Sequence, residues 1–198
     1  MRTVLAAVAL AALSTLAQAA APTVSCSGGV VNCAAAMDGV DPTLLDGEGT
    51  SWTDRSAFWE GTSGRVNLAL GGTFQLMDIA IVVDNNDDYL IERSLDNSTW
   101  FTLGSINRTA GNVPVSPGGM DYFDSFNVPG NIDYVATLDF APVNAAFLRV
   151  RATGGDSSYS VAEVSLWTNP VPVPEPATWA LMLGGVAALV SRRRRAQD

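Results

Sequence analysis

The chain opens and closes on apolar runs and alternates in between. Residues 4–13 are ten apolar positions in succession, and residues 177–190 form a second apolar run of 14. Between them, short apolar or alternating stretches recur at 66–70, 79–83, 89–94, 100–104, 134–140, 147–152 and 161–167. Most are bounded by Gly, Pro, Asn or Asp, and no long helical period appears, which is the pattern of strands divided by turns. In 147–152 Leu148 and Val150 fall on one face and Arg149 and Arg151 on the other, as a half-buried antiparallel strand requires. In 161–167 Ala162, Val164 and Leu166 alternate with Glu163 and Ser165. The pattern predicts an all-β antiparallel sandwich. Residues 105–133 stand apart: they hold Pro114, Pro117, Gly118, Gly119, Pro129 and Gly130 and are too long for a plain hairpin. They read as one loop, functional or mobile.

The two end runs do not belong to such a sandwich. Arg2 precedes the first, and Ala17-Gln18-Ala19 follows it as an A-x-A site for signal peptidase. Residues 1–19 are therefore expected to be a signal peptide, cleaved after Ala19. The second run is preceded by Pro172, Pro174 and Pro176, which keep the chain extended, and is followed by Arg192, Arg193, Arg194 and Arg195. An arginine at the bilayer centre costs at least ~2.5 kcal/mol, so four in succession stay on the cytoplasmic side. The run is short of the roughly 20 residues of an ordinary spanning helix, so it would hold only loosely or only until cleavage. The division expected is 1–19, a sandwich domain over 20–170, and a tail over 171–198 with a transmembrane segment at 177–190. An ordinary C-terminal anchor without processing is the alternative.

Pro174-Glu175-Pro176, the following Ala177-Thr178-Trp179-Ala180-Leu181 and the arginine cluster resemble the PEP-CTERM sorting signal of exosortase-processed bacterial proteins. The resemblance implies processing by exosortase as well as signal peptidase. It also implies a transient hold in the inner membrane, then residence at the cell surface or outside the cell, in a setting of exopolysaccharide and biofilm.

Charge and chemistry narrow what the middle can do. Without Arg2 and the tail arginines, 6 of the 11 basic residues remain, against 18 of the 20 acidic ones once Glu175 and Asp198 are set aside, leaving about −12. Lysine is absent from the chain. Such a surface repels nucleic acid and anionic membrane and suits an exported domain or one that collects divalent cations. With no histidine, Ser-His-Asp and Cys-His triads and histidine-dependent metal sites are excluded. Cys26 and Cys33, the only cysteines, enclose a segment with Gly28 and Gly29 that can turn back on itself. In an oxidising compartment they are expected to bridge. The acid pairs Asp84 with Asp87 and Asp88 with Glu92 are explained more simply as turn-forming acids than as a two-carboxylate glycosidase. Residues 84–88 mimic the opening of an EF-hand, but Tyr89 stands where that loop needs Gly and Leu95 where it needs Glu.

Leu68-Ala69-Leu70-Gly71-Gly72, Ile79-Ala80-Ile81, the stretch from Asp88 through Ser94-Leu95-Asp96 to Trp100, Phe147-Leu148-Arg149-Val150 and Tyr159-Ser160-Val161-Ala162-Glu163-Val164 together resemble the discoidin, or coagulation factor 5/8 C-terminal type, domain. That resemblance implies a galactose-binding-like jelly-roll sandwich used for binding and not itself catalytic. It also implies a structural calcium. Asp46-Gly47-Glu48-Gly49-Thr50-Ser51-Trp52 is similar to the turn that wraps the ion in related carbohydrate-binding sandwiches, and Glu163 matches the glutamate of the final strand. Asp46, Glu48, Thr50 and Glu163 are the expected ligands, a metal-free turn being the alternative.

For a sugar, Tyr122 and Phe123 are the expected stacking aromatics, with Asp121, Asp124 or Asn127 taking hydroxyls. Trp52 and Trp59 are expected to cover the sandwich edge, and Trp100 and Trp167 to lie in the core. The function expected is non-enzymatic binding of glycan or exopolysaccharide at the cell surface or in the matrix. The rivals are a structural matrix component without a small ligand and a secreted glycoside hydrolase working through carboxylates alone.

Overall fold

The structure, a computed structural model, describes residues 20–39, 54–110 and 119–171. The expected signal peptide, the Asp46–Thr50 turn with Trp52, the apolar run and the sorting tail lie outside the described residues. Ala19–Val171 form one compact unit.

Among the described residues eight strands make an antiparallel sandwich: β1 Thr23–Ser27, β2 Ala57–Glu60, β3 Arg65–Asp84, β4 Asp88–Ser94, β5 Phe101–Ile106, β6 Met120–Asp124, β7 Val143–Gly154 and β8 Ser158–Pro170. A 3-10 turn, Cys33–Met37, follows β1, and a disulfide joins Cys26 to Cys33. The 20-residue β3 belongs to both layers. Its first half pairs β1 on one side and β7 on the other; its second half pairs β8 and β6. The register slips between Ala69 and Phe74, where the strand passes from one layer to the next. Gly71 sits in that passage at a φ of +76°, and a Cβ there would strike the Ala20 carbonyl oxygen. Only glycine takes that backbone without strain. The order is β1-β3-β7-β4-β5 in the first layer and β2-β8-β3-β6 in the second.

Alternation then decides what faces inward. Val66, Leu68, Ile81, Val83, Ile91, Leu148, Val150 and Val161 are fully buried in one cluster between the layers. One end of it is closed by Trp59, Tyr89 and Tyr159, whose rings meet at 5.9–6.4 Å. In β8 the simple alternation breaks. Val82 opposes Glu163 while Val83 opposes Val161, so Ala162 is a bulged extra residue. Val161 and Val164 face the core, and Ala162 packs with Val82 and Met120 on the far side. A bulge re-aims its neighbours, and here it turns Glu163 to that far side.

Three expectations change. The stretches 66–70 and 79–83 are halves of one strand. Residues 134–140 are a turn laid along the edge of β5, with the Ser105 N–H donating to the Thr137 carbonyl and Leu138 fully buried. The apolar positions Val135 and Leu138 plug the core from a turn, a spacing that period alone does not separate from a strand. Finally, β6 runs through the segment read as one long loop, because its residues find edge partners on β3.

Candidate functional site

The residues expected to hold a sugar are placed by that sixth strand, and the structure separates them. Phe123 points between the layers and is 2% exposed, so it is a core ring and no stacking platform. Asp121 and Asp124 are buried as well. The Asp121 carboxylate accepts from the Tyr122 N–H, and Asp124 accepts from the Phe126 N–H and the Asn131 amide, at 2.7–2.9 Å. These are the bonds of an acid that fixes a turn. The Asn127 amide donates to Asp139. Of the two aromatics only Tyr122 faces outward. It lines a depression of about 120 Å³ with Gly39, Val82, Glu163 and Ser165. That is below the roughly 300 Å³ where pockets for small ligands begin. Glu163, the expected calcium ligand, accepts there from the Gly39 N–H at 2.9 Å. The other expected ligands, Asp46, Glu48 and Thr50, fall outside the described residues.

The tryptophans also sort differently. Trp59 is 1% exposed and belongs to the core. Trp167 is 42% exposed and meets Phe126 edge-on at 4.5 Å. Trp100, just before β5, is partly exposed, with the Arg149 guanidinium 4.1 Å above its ring.

That stacked arginine leads to the face that gathers half of the domain's arginines. Pairing register aligns Ser25, Asn67, Arg149, Glu92 and Thr102 in one row across β1, β3, β7, β4 and β5, on the outer side of the first layer. Arg65 and Arg151 stand on the same face of β3 and β7, two residues along from Asn67 and Arg149. Arg149 and Arg151 both donate to one oxygen of Glu92, Oε2, at 2.9 and 3.1 Å. Arg65 holds the Thr62 and Gly64 carbonyls at 2.7 Å. Burial, then the charges of Arg151 and Arg149, pulls the Arg65 guanidinium below its ordinary pKa, against the opposing pull of Glu92. Three cations thus share one acid on a domain that is otherwise strongly acidic. Holding like charges together is unfavourable unless something anionic offsets it.

The outward alternation of Arg149 and Arg151 was legible in the strand pattern. The approach of Arg65 and Trp100 depends on the strand order β3-β7-β4-β5, which no local pattern encodes. The remaining acid pair is spoken for: Asp88 is bridged by Arg108 at 2.5 Å, and Glu92 by the two arginines.

Comparison with known proteins adds the tail. Residues 172–195 match the PEP-CTERM protein-sorting motif. The motif marks the chain for export, for exosortase processing and for sorting to the cell envelope. No curated protein matches the chain in sequence. In structure, the chain is similar to a pectin binding carbohydrate binding module at 16% identity and a TM-score of 0.47, over 79% of this chain and 96% of that one. It is similar to the CBM32 module of AlyQ in complex with 4,5-unsaturated mannuronic acid at 12% identity and a TM-score of 0.49, over 73% and 93%. A family 89 glycoside hydrolase from Clostridium perfringens is similar at 19% identity and a TM-score of 0.48, over 79% of this chain but 15% of that one. At such identities and TM-scores nothing about family or ligand follows.

Proposed function

We propose that this is an exported envelope protein whose sandwich binds an acidic polysaccharide on the outer face of its first layer. The observation that carries the reading is the gathering of Arg65, Arg149 and Arg151 around the single carboxylate of Glu92, beside Trp100. A guanidinium matches a carboxylate with paired donors, and an aromatic ring beside it offers a sugar its apolar face. A chain of uronic acids supplies both. Because the arginines are about a quarter exposed, a polymer can reach them without any deep pocket. The role is binding, not turnover, and the sorted tail supports placing it where such polymers are.

In this reading signal peptidase removes residues 1–19 and the apolar run 177–190 holds the chain in the inner membrane until exosortase acts at the tail. The protein is then left at the cell surface or in the matrix. A calcium on Asp46, Glu48, Thr50 and Glu163 would fix the start of the domain to β8.

Affinity electrophoresis of the full chain through gels containing polygalacturonate, alginate or neutral dextran tests the binding. The acidic polymers should retard the protein and dextran should not. Arg149→Ala with Arg151→Ala should weaken retention roughly tenfold or more, since each charge-assisted contact contributes ~1.5–3 kcal/mol. Tyr122→Ala should leave it unchanged. Passage of the wild-type protein unretarded through every gel would sink the reading and leave a structural matrix component in its place.

A further inference from the structure

The turn between β3 and β4 is built as no ordinary surface turn is. Asp84, Asn85 and Asp87 are 2%, 2% and 0% exposed. Asp84 Oδ1, both polar atoms of the Asn85 amide, Asn86 Oδ1 and Asp87 Oδ2 are buried without a hydrogen-bond partner. Buried polar groups are almost always paired, and five unpaired atoms within four consecutive residues is a concentration that asks for a ligand. The same end receives a third carboxylate. Asp156, in the turn between β7 and β8, gives its N–H to Asp87 Oδ1 at 3.1 Å and takes the Asn86 amide on its Oδ2 at 3.1 Å. Gly155 has no side chain because a Cβ there would collide with Asp87 Oδ1. Burial pushes the Asp84 and Asp87 carboxyls up to about 7, and for Asp84 the neighbouring charge of Asp87 adds to it.

Among the described residues no group of three or more acidic, cysteine or histidine side chains is placed to hold a metal ion, and both oxygens of Asp156 already accept hydrogen bonds, from the Ser158 N–H and the Asn86 amide. Here the amide oxygens of Asn85 and Asn86 complete a mixed set of carboxylate and amide oxygens. An all-oxygen set of this irregular kind suits calcium, which takes six to eight such ligands in flexible geometry, and not the nitrogen and sulfur preference of zinc. We propose that the β3–β4 turn, closed over by Asp156, is a binding site for a calcium-like hard divalent cation held by the unpartnered oxygens of Asp84, Asn85, Asn86 and Asp87. The site differs from an EF-hand in being held shut by a second turn, through the hydrogen bonds of Asp156 to Asp87 and Asn86, and it shares no residue with the Asp46–Glu163 set. The ion would fix the β3–β4 turn and, through it, the β7–β8 connection and the start of β6, whose Gly119 carbonyl accepts from the Asn85 N–H.

Calorimetric titration of calcium chloride into the chelator-treated full chain tests it. Saturable binding is expected, retained in Glu163→Gln and weakened roughly 10–100-fold in Asp87→Asn and in Asp84→Asn. Circular dichroism verifies that each variant is folded. Terbium gives a local readout that needs no variant: the Tyr159 ring lies with Asp87 against Gly155 and meets the Tyr89 ring at 6.4 Å, so tyrosine excitation should sensitise terbium emission and added calcium should quench it. No calcium binding by the wild-type chain, or binding that survives Asp87→Asn but disappears in Glu163→Gln, would overturn the proposal.

Discussion

The outer face of the first layer and the β3–β4 end of the sandwich hold opposite charges in opposite ways. On the face, the side chains of Arg149 and Arg151 are 23% and 29% exposed and share one acid. At the end, Asp84 and Asp87 are buried, and no arginine forms an ion pair with either among the described residues. Uncompensated charge that solvent can reach is tolerable without a ligand, because water screens it. Uncompensated charge that solvent cannot reach must be protonated or permanently neutralised. The first arrangement suits a partner that comes and goes, the second one that stays. Substitutions that change exposure or pairing at one region should leave the other untouched.

The largest effect is expected at the buried end. Gly155→Ala places a methyl group against Asp87 Oδ1 and demands a φ of +142° of an L-residue. Strain of that kind costs ~1–3 kcal/mol by itself, and with the collision a loss of about 3 kcal/mol or more is expected in urea unfolding. Retention on acidic polysaccharide should be unchanged in whatever fraction remains folded. Equal loss of both properties would mean that the two regions are not independent.

Glu92→Gln sharpens the contrast at the face, because stability and binding should move in opposite directions. Removing the negative charge leaves two partly buried guanidiniums with only a neutral amide oxygen in place of their shared carboxylate, a loss of about 1–3 kcal/mol. The same change takes the face from a formal +2 to +3, so retention by polygalacturonate should increase. A merely structural role for Arg149 and Arg151 predicts that binding is absent before and after the substitution.

How far the sequence alone led follows the same division between local and assembled features. The alternation in 147–152 placed Leu148 and Val150 inward and Arg149 and Arg151 outward, and the structure has them so. Where the deciding partner is distant, local pattern misleads. Tyr122 and Phe123 read as loop aromatics because Pro and Gly surround them; pairing with Val82 and Ile81 makes them a strand and sends Phe123 into the core. Ala162 read as core by period two, and the bulge opposite Val82 puts it on the other side. The acids of 84–88 read as ordinary turn formers, because sequence shows their spacing and not their burial. Only once β7 and β8 bring Gly155 and Asp156 over them do their oxygens lose water.

The smallest effect concerns Arg108, the cation nearest the acid end. It bridges Asp88 and also lowers the Asp87 carboxyl through its charge. Burial pushes the Asp88 carboxyl up, but the hydrogen bonds and charge of Arg108 outweigh it and hold the group below its ordinary value. A carboxyl depressed in the folded state contributes stability above its unfolded pKa of ~3.9, and that contribution fades as pH falls through the lower folded value. Arg108→Gln should therefore melt slightly below wild type at neutral pH, with the gap closing in acid. The guanidinium side is 47% exposed, so the gap should also shrink in ~1 M salt, where screening reaches down to about 3 Å. Melting curves across pH and salt decide it. A gap that persists in strong acid would mean that Arg108 acts through packing and not through Asp88.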